Sequence, residues 1–335
     1  MRVQLAVLLA MSCGRTGFDA VHDGATATDD GGLEHVQASS GWTARLLVDL
    51  TGVVPYRPDD FSDGSDEVLD NAPLDIAALY APFASSLAVS AGRDVIELAG
   101  DGTPTVHDYR PAVPDTTGPD ACTHLVFGAP ADVGAALWIG ASSEGQGDGV
   151  YHVDPTTWAI TRDATNNNVN GIAWDATGAY DATGVPAIYF LDESDVYRRD
   201  GSGSGTPIYP ENDTMETLGV AASALYVENT ATDIELDRIY SGTHMLQAIT
   251  TNETSFQIVD GGATTSVAVI RDGTTLAIYA DDGTEQDIAR STDPTWIWQA
   301  ATAPQPPHPL AGGYVVLESN RTLDRDDLVY LAPGS

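Results

Sequence analysis

The sequence predicts an all-β chain folded as a β-propeller, with six blades and an N-terminal strand that closes the ring. Three observations lead there. A short core, a small or polar residue followed by three or four apolar ones, recurs between Ile76 and Pro333 in about six units. Their spacing averages about 43 residues, the length of a propeller blade. Helical 3.6-residue periodicity is hard to find after the first residues. The 335 residues include 33 Gly and 19 Pro, with Asp, Asn, Ser and Thr between the apolar runs, as expected of short strands joined by turns. The same observations leave two alternatives, a β-sandwich or two smaller β domains.

The recurring cores are Ser86–Val89, Ala136–Ile139, Ala187–Phe190, Ala224–Val227, Thr275–Tyr279 and Gly313–Val316. An apolar strand precedes most of them: Ile76–Tyr80, His124–Phe127, Gly171–Trp174, Leu218–Ala221 and Ser266–Ile270. A third strand follows most: Asp94–Leu98, Val150–Val153, Val196–Arg199, Arg238–Tyr240 and Asp327–Leu331. The stretch Asn170–Gly205 shows the unit most clearly. Sheets of this length cannot hide both faces alone, whereas radial stacking buries a continuous core and leaves only short edges. The last unit lacks an outer strand. Thr43–Leu50 (TARLLVDL) alternates like a strand ahead of the first unit and is expected to complete the last blade. The domain is therefore drawn over 41–335, with an acidic loop at 53–73.

The first residues read as an address. Met1–Cys13 (MRVQLAVLLAMSC) has Arg2 as a minimal positive start and an apolar run broken by Gln4. That run falls short of the roughly 20 residues that span a bilayer and suits a signal peptide over 1–12. Leu9-Ala10-Met11-Ser12-Cys13 resembles a bacterial lipobox. The resemblance implies a lipid on Cys13 and, with Gly14 rather than Asp next, an outer-membrane lipoprotein; plain secretion is the alternative. The segment 13–40 is poor in apolar residues and reads as a flexible tether. Cys122 precedes an apolar strand and reads as a small buried side chain.

Charge narrows the function classes. There are 49 acidic residues against 14 Lys and Arg, and all of the latter are Arg. A net charge of −35 argues against nucleic acid or an anionic membrane surface as partner, so the membrane enters only through a lipid anchor. Without Lys, neither a Schiff base nor a P-loop lysine is available. Gly140–Gly145 (GASSEG) misses the G-x-S-x-G spacing, and the seven His residues show no zinc-binding spacing.

Two stretches resemble propeller families. Ile270–Ala289 (IRDGTTLAIYADDGTEQDIA) looks like the WD40-like repeat of TolB-type proteins. Asn170–Asp200 looks like units of the NHL and gluconolactonase-like propellers. In the latter enzymes an Asn-Gly of this kind supplies a ligand to a divalent cation in the central channel, which implies Asn170 as a metal ligand. The acidic loop offers a second cation candidate, Ca²⁺, through Asp59, Asp60, Asp63 and Asp66 around Gly64, although it lacks EF-hand spacing. Trp296 and Trp298 (TWIWQ) share one side of a strand beside the Pro-rich 303–309 and form a candidate partner-contact rim. The function expected is a non-catalytic propeller of the cell envelope that binds a protein or glycan. The alternative is a metal-dependent hydrolase or lactonase of the gluconolactonase type.

Overall fold

In the computed structural model every regular element is a strand, and no helix occurs among the described residues. It describes residues 33–53, 73–113 (apart from 81, 82, 84 and 101), strands and some turns between 124 and 259, and 266–334 (apart from 281, 321 and 324). The N-terminal segment supplies β1 (Val36–Ala38) and β2 (Trp42–Asp49). Blade one is β3 (Pro73–Ala78), β4 (Leu87–Ala91), β5 (Asp94–Leu98) and β6 (Pro104–Asp108). Blade two is β7 (His124–Gly128), β8 (Leu137–Ser142), β9 (Gly149–Val153) and β10 (Ile160–Ala164). Blade three is β11 (Val169–Asp175), β12 (Ala187–Asp192), β13 (Asp195–Arg199) and β14 (Thr206–Tyr209). Blade four is β15 (Met215–Ala221), β16 (Ala224–Asn229), β17 (Glu235–Ile239) and β18 (Leu246–Thr251). Blade five is β19 (Phe256–Ile258), β20 (Val267–Arg271), β21 (Thr275–Tyr279) and β22 (Glu285–Ser291), with β1 added outside. Blade six is β23 (Trp296–Thr302), β24 (Tyr314–Asn320), β25 (Arg325–Pro333) and, outermost, β2.

The innermost strands follow one another around a ring. β3 lies against β7, β7 against β11, β11 against β15 and β15 against β19; β20 and β22 meet β23, and β23 returns to β3. That cyclic order is a six-bladed propeller and excludes the sandwich and the two-domain alternatives. The closing strand is where the sequence placed it, with Thr43 opposite Ala332 and Asp49 opposite Asp327. The segment expected to be tether as far as residue 40 gives its last residues to the ring. Val36–Ala38 pairs with Ala289–Ser291, and Leu33 and Val36 pack on the core between blades five and six.

Stacking explains why the second strands read as continuous apolar runs. In β12, Tyr189 and Leu191 enter the core shared with blade four, while Ile188 and Phe190 enter the core shared with blade two. Both faces are buried, so the usual alternation disappears. On the innermost strand of blade four, Gly219 leaves no room for a side chain of its own. A Cβ on Gly219 would stand 2.3 Å from Cγ2 of Ile258 on blade five.

In each blade the innermost strand begins on the side where the second strand turns into the third. In blade one, Pro73 lies opposite Ala91 and Ala91 opposite Asp94. We refer to this side as the upper face. There the register shifts between Pro73 and Asp75, Val169 and Gly171, Met215 and Leu218, and Trp298 and Ala300. Such bulges bend a strand and re-aim its residues.

Candidate functional site

Buried polar side chains gather at the upper face, and the densest group is in blade six. Trp296 opens β23 and Trp298 follows two residues later, so both rings project from the same side of the strand. They are 4% and 2% exposed. His35 arrives from the N-terminal segment and stacks on Trp296, with centroids 4.1 Å apart and planes 5° apart. Its Nε2 lies 2.8 Å from Oε1 of Glu318, and Nε1 of Trp298 donates to Oε2 of the same carboxylate at 2.9 Å. The His35 carbonyl accepts the Thr292 N–H at 2.7 Å and the Thr292 hydroxyl at 3.0 Å.

Strand register then sets three carboxylates in a row. Glu318 is opposite Asp327, and Asp327 is opposite Asp49. Like charges directly opposite are destabilising, and Arg325 answers them. Its Nε donates to Oδ1 of Asp327 at 3.0 Å, lies 3.9 Å from Oδ2 of Asp49, and its guanidinium sits 5.6 Å from the Trp296 centroid. Burial pushes the Asp327 carboxyl up to about 6; Arg325 pulls it down, and the Asp49 and Glu318 charges add to the rise. Asn320 fixes the neighbouring turn, its Oδ1 accepting the N–H groups of Thr322 and Leu323, both at 3.0 Å.

A carboxyl that titrates near neutrality suits proton transfer. Here, however, Asp327 and Glu318 are both 0% exposed, and their partners are strands of the same ring. In this arrangement the cluster fastens the N-terminal segment to the last blade. Trp296 and Trp298 share a side as expected, but their rings meet His35, Arg325 and Glu318. A partner at this rim would meet the surrounding turns.

Asn170 is the second residue of β11, at the upper end of the innermost strand of blade three, and it is the extra residue of the register shift there. Cys13, Asp59, Asp60, Asp63, Asp66 and Cys122 lie outside the described residues. Among the described residues no group of three or more His, Cys, Asp or Glu side chains could hold a metal ion.

Sequence reasoning did not pick out His35, Glu318 or Asp49, and it read Leu323–Asp327 (LDRDD) as a solvated acidic loop, whereas register in β25 buries Asp327 completely. One signal was present. Val227-Glu228-Asn229 and Leu317-Glu318-Ser319-Asn320 end their second strands in the same way. Glu228 is 1% exposed and accepts the Phe256 N–H of the next blade at 3.1 Å. A glutamate closing an apolar run thus reaches out of its own strand in both blades.

No protein-family model matches the chain, and no curated protein matches it. Solved structures do match. A gluconolactonase from Xanthomonas campestris superposes with a TM-score of 0.54 over 86% of this chain and 98% of that one, at 15% identity. The likeness is one of fold alone. A protein of unknown function from Bacteroides thetaiotaomicron gives 0.51 over 87% and 76%, at 12% identity. An auxiliary nutrient binding protein from the same species gives 0.50 over 78% and 69%, at 10% identity.

Proposed function

We propose that this chain is a non-catalytic propeller of the cell envelope, held by a lipid on Cys13, that binds a protein or glycan partner. The observation that carries this reading is the way the N-terminal segment meets the ring. β1 and β2 are the outermost strands of blades five and six, so a chain arriving from Cys13 joins at the rim. The charge pattern agrees. Arg110 pairs with Asp94 and Asp108, Arg325 with Asp327, and Arg271 with Glu285, so these cations are taken up by carboxylates of the same chain.

Two measurements test the reading. The chain is produced in a Gram-negative host with Cys13 intact and as Cys13→Ala. The intact chain should take up a fatty-acid label and sediment with membranes, and the variant should do neither. Equal partitioning of the two removes the anchor. Binding of the purified domain to glycan arrays and envelope proteins is then compared with its turnover of aldonolactones.

A second reading is a metal-dependent lactonase of the gluconolactonase type. It is favoured by the backbone position of Asn170 at the upper end of an innermost strand. Calcium-dependent lactone turnover, lost in Asn170→Ala, would establish this reading in place of the first. A bound ion would also raise the melting temperature by mass action.

A further inference from the structure

A loop of blade six crosses to blade one on the lower face, opposite the polar cluster. It joins β23 to β24, and Pro306, Pro307 and Pro309 are exposed along it. His308, set among these prolines, is 4% exposed and points inward. Both of its ring nitrogens are engaged. Nδ1 accepts the N–H of Leu310 at 3.2 Å, and Nε2 lies 3.2 Å from the carbonyl oxygen of Ser86 on blade one. A backbone N–H can only donate, and a carbonyl can only accept. The two bonds together fix the ring as neutral, with its hydrogen on Nε2 and Nδ1 bare. Around this contact the Gln305 N–H donates to the Tyr80 hydroxyl of blade one at 2.7 Å, and the Tyr80 ring meets His308 edge-on at 5.9 Å.

We propose that His308 is an acid-released pin: a second proton on its ring frees the Pro304–Leu310 loop from blade one and uncovers the Ser86 carbonyl and the Tyr80 hydroxyl. Protonation places a hydrogen on Nδ1, where it faces the Leu310 N–H. Donor then meets donor, and a buried imidazolium keeps only the Ser86 carbonyl as partner. Among the described residues no carboxylate is paired with the imidazole. Blade one presents Tyr80, and Glu97 there is bonded by the Ser86 hydroxyl at 3.2 Å rather than by the imidazole. β25 presents Tyr330, whose hydroxyl donates to the Leu310 carbonyl at 3.2 Å, with Arg45 of β2 lying 5.0 Å from the Tyr330 ring. Burial holds His308 below the ordinary imidazole value of 6.5, against the raising effect of the Ser86 carbonyl. The folded chain therefore binds this proton more weakly than the unfolded chain does. The stability tied to the pin is lost as pH falls below 6.5. The device operates whether or not the chain is anchored and whatever partner it takes.

NMR of the intact chain with labelled histidine reads the ring directly, and hydrogen exchange reads the Leu310 amide. His308 should carry its hydrogen on Nε2 at pH 7.5 and titrate below 6.5. Exchange at Leu310, corrected for intrinsic rates, should rise on the order of tenfold or more between about pH 7.5 and 5, with a midpoint matching the ring titration. His308→Gln supplies a donor and an acceptor without titrating, and should flatten that rise. Hydrogen on Nδ1, titration at 6.5 or above, or an equal rise in wild type and His308→Gln overturns the proposal. If His308→Gln does not fold, the two wild-type midpoints decide it: coincidence supports the pin, and disagreement overturns it.

Discussion

His35 and Glu318 are 283 positions apart in the chain and 2.8 Å apart in space. Glu318 also takes the Trp298 indole N–H, so one buried carboxylate ties together the N-terminal segment, the innermost strand and the second strand of the last blade. Glu318→Ala leaves two donors without an acceptor and should cost about 3 kcal/mol, while Glu318→Gln keeps one acceptor and should cost about 1 kcal/mol. Urea unfolding at pH 7 measures both. Equal and small losses would show that the carboxylate does not fasten the segment.

Asp327 gives the ring a pH response opposite to that of most acidic residues. Its carboxyl is held at about 6 in the folded chain, against an ordinary 3.8. The folded state therefore binds this proton more tightly, and the contribution of Asp327 to stability grows as pH falls from about 6 towards 3.8; above about 6 the ionised form is a burden. Asp327→Asn should remove this dependence. The stability difference between variant and wild type should shift in favour of wild type on going from about pH 8 to 5. A constant difference would contradict it.

Gly219 should not tolerate a methyl group. Its Cβ would overlap Ile258 at 2.3 Å, whereas one on Gly100 meets nothing within 4 Å. Gly219→Ala should cost about 1–3 kcal/mol and Gly100→Ala much less. Adding Ile258→Ala should recover part of the Gly219→Ala loss, read as coupling in a double-mutant cycle. Additive losses would mean the blades do not touch there as described.

Ser90 is 0% exposed, and its hydroxyl finds no hydrogen-bond partner among the described residues. Ser90→Ala removes an unsatisfied polar group from the core between blades. It should be neutral or stabilising by up to about 1 kcal/mol. A loss in thermal or urea unfolding would reveal a bond made by that hydroxyl.

A net charge of −35 should make the protein dependent on salt. Raising NaCl from about 0.01 M to 1 M shortens the screening length from about 30 Å to 3 Å, and the melting temperature should rise. A flat or falling curve would mean that the carboxylates are neutralised in another way.

Five of the six expected cores fall on the second strand of a blade, because burial on both faces leaves an unbroken apolar run, as in Ala187–Leu191. In blade five the expected core, Thr275–Tyr279, is the third strand, since Val267–Ile270 beside it is equally apolar and the short innermost strand Phe256–Ile258 gave no signal. The closing strand was legible because an alternating run with no neighbour needs a partner somewhere. The fourth strands of blades one to five were not found. In β6 (PTVHD) nearly every position is exposed, so no pattern marks it, and β14 (TPIY) is too short to show one. Trp296 and Trp298 were correctly placed on one side of a strand. Which side faces inward is decided by blade five and by His35, which periodicity cannot reveal. The Asp49–Asp327–Glu318 row depends on register between strands far apart in sequence, and nothing local encodes it.

Thr43 waits for Ala332, 289 positions later. A polypeptide delivered N-terminus first has its closing strand ready long before that strand's partner exists. Hairpins within a blade pair quickly, whereas contacts between distant segments form slowly. The blades can therefore stack in order while β2 stays unpaired. A chain cut short before β25 keeps open strand edges of the kind that invite aggregation and chaperone capture. Pairing of β2 with β25 thus doubles as a check that the blades between them have been made.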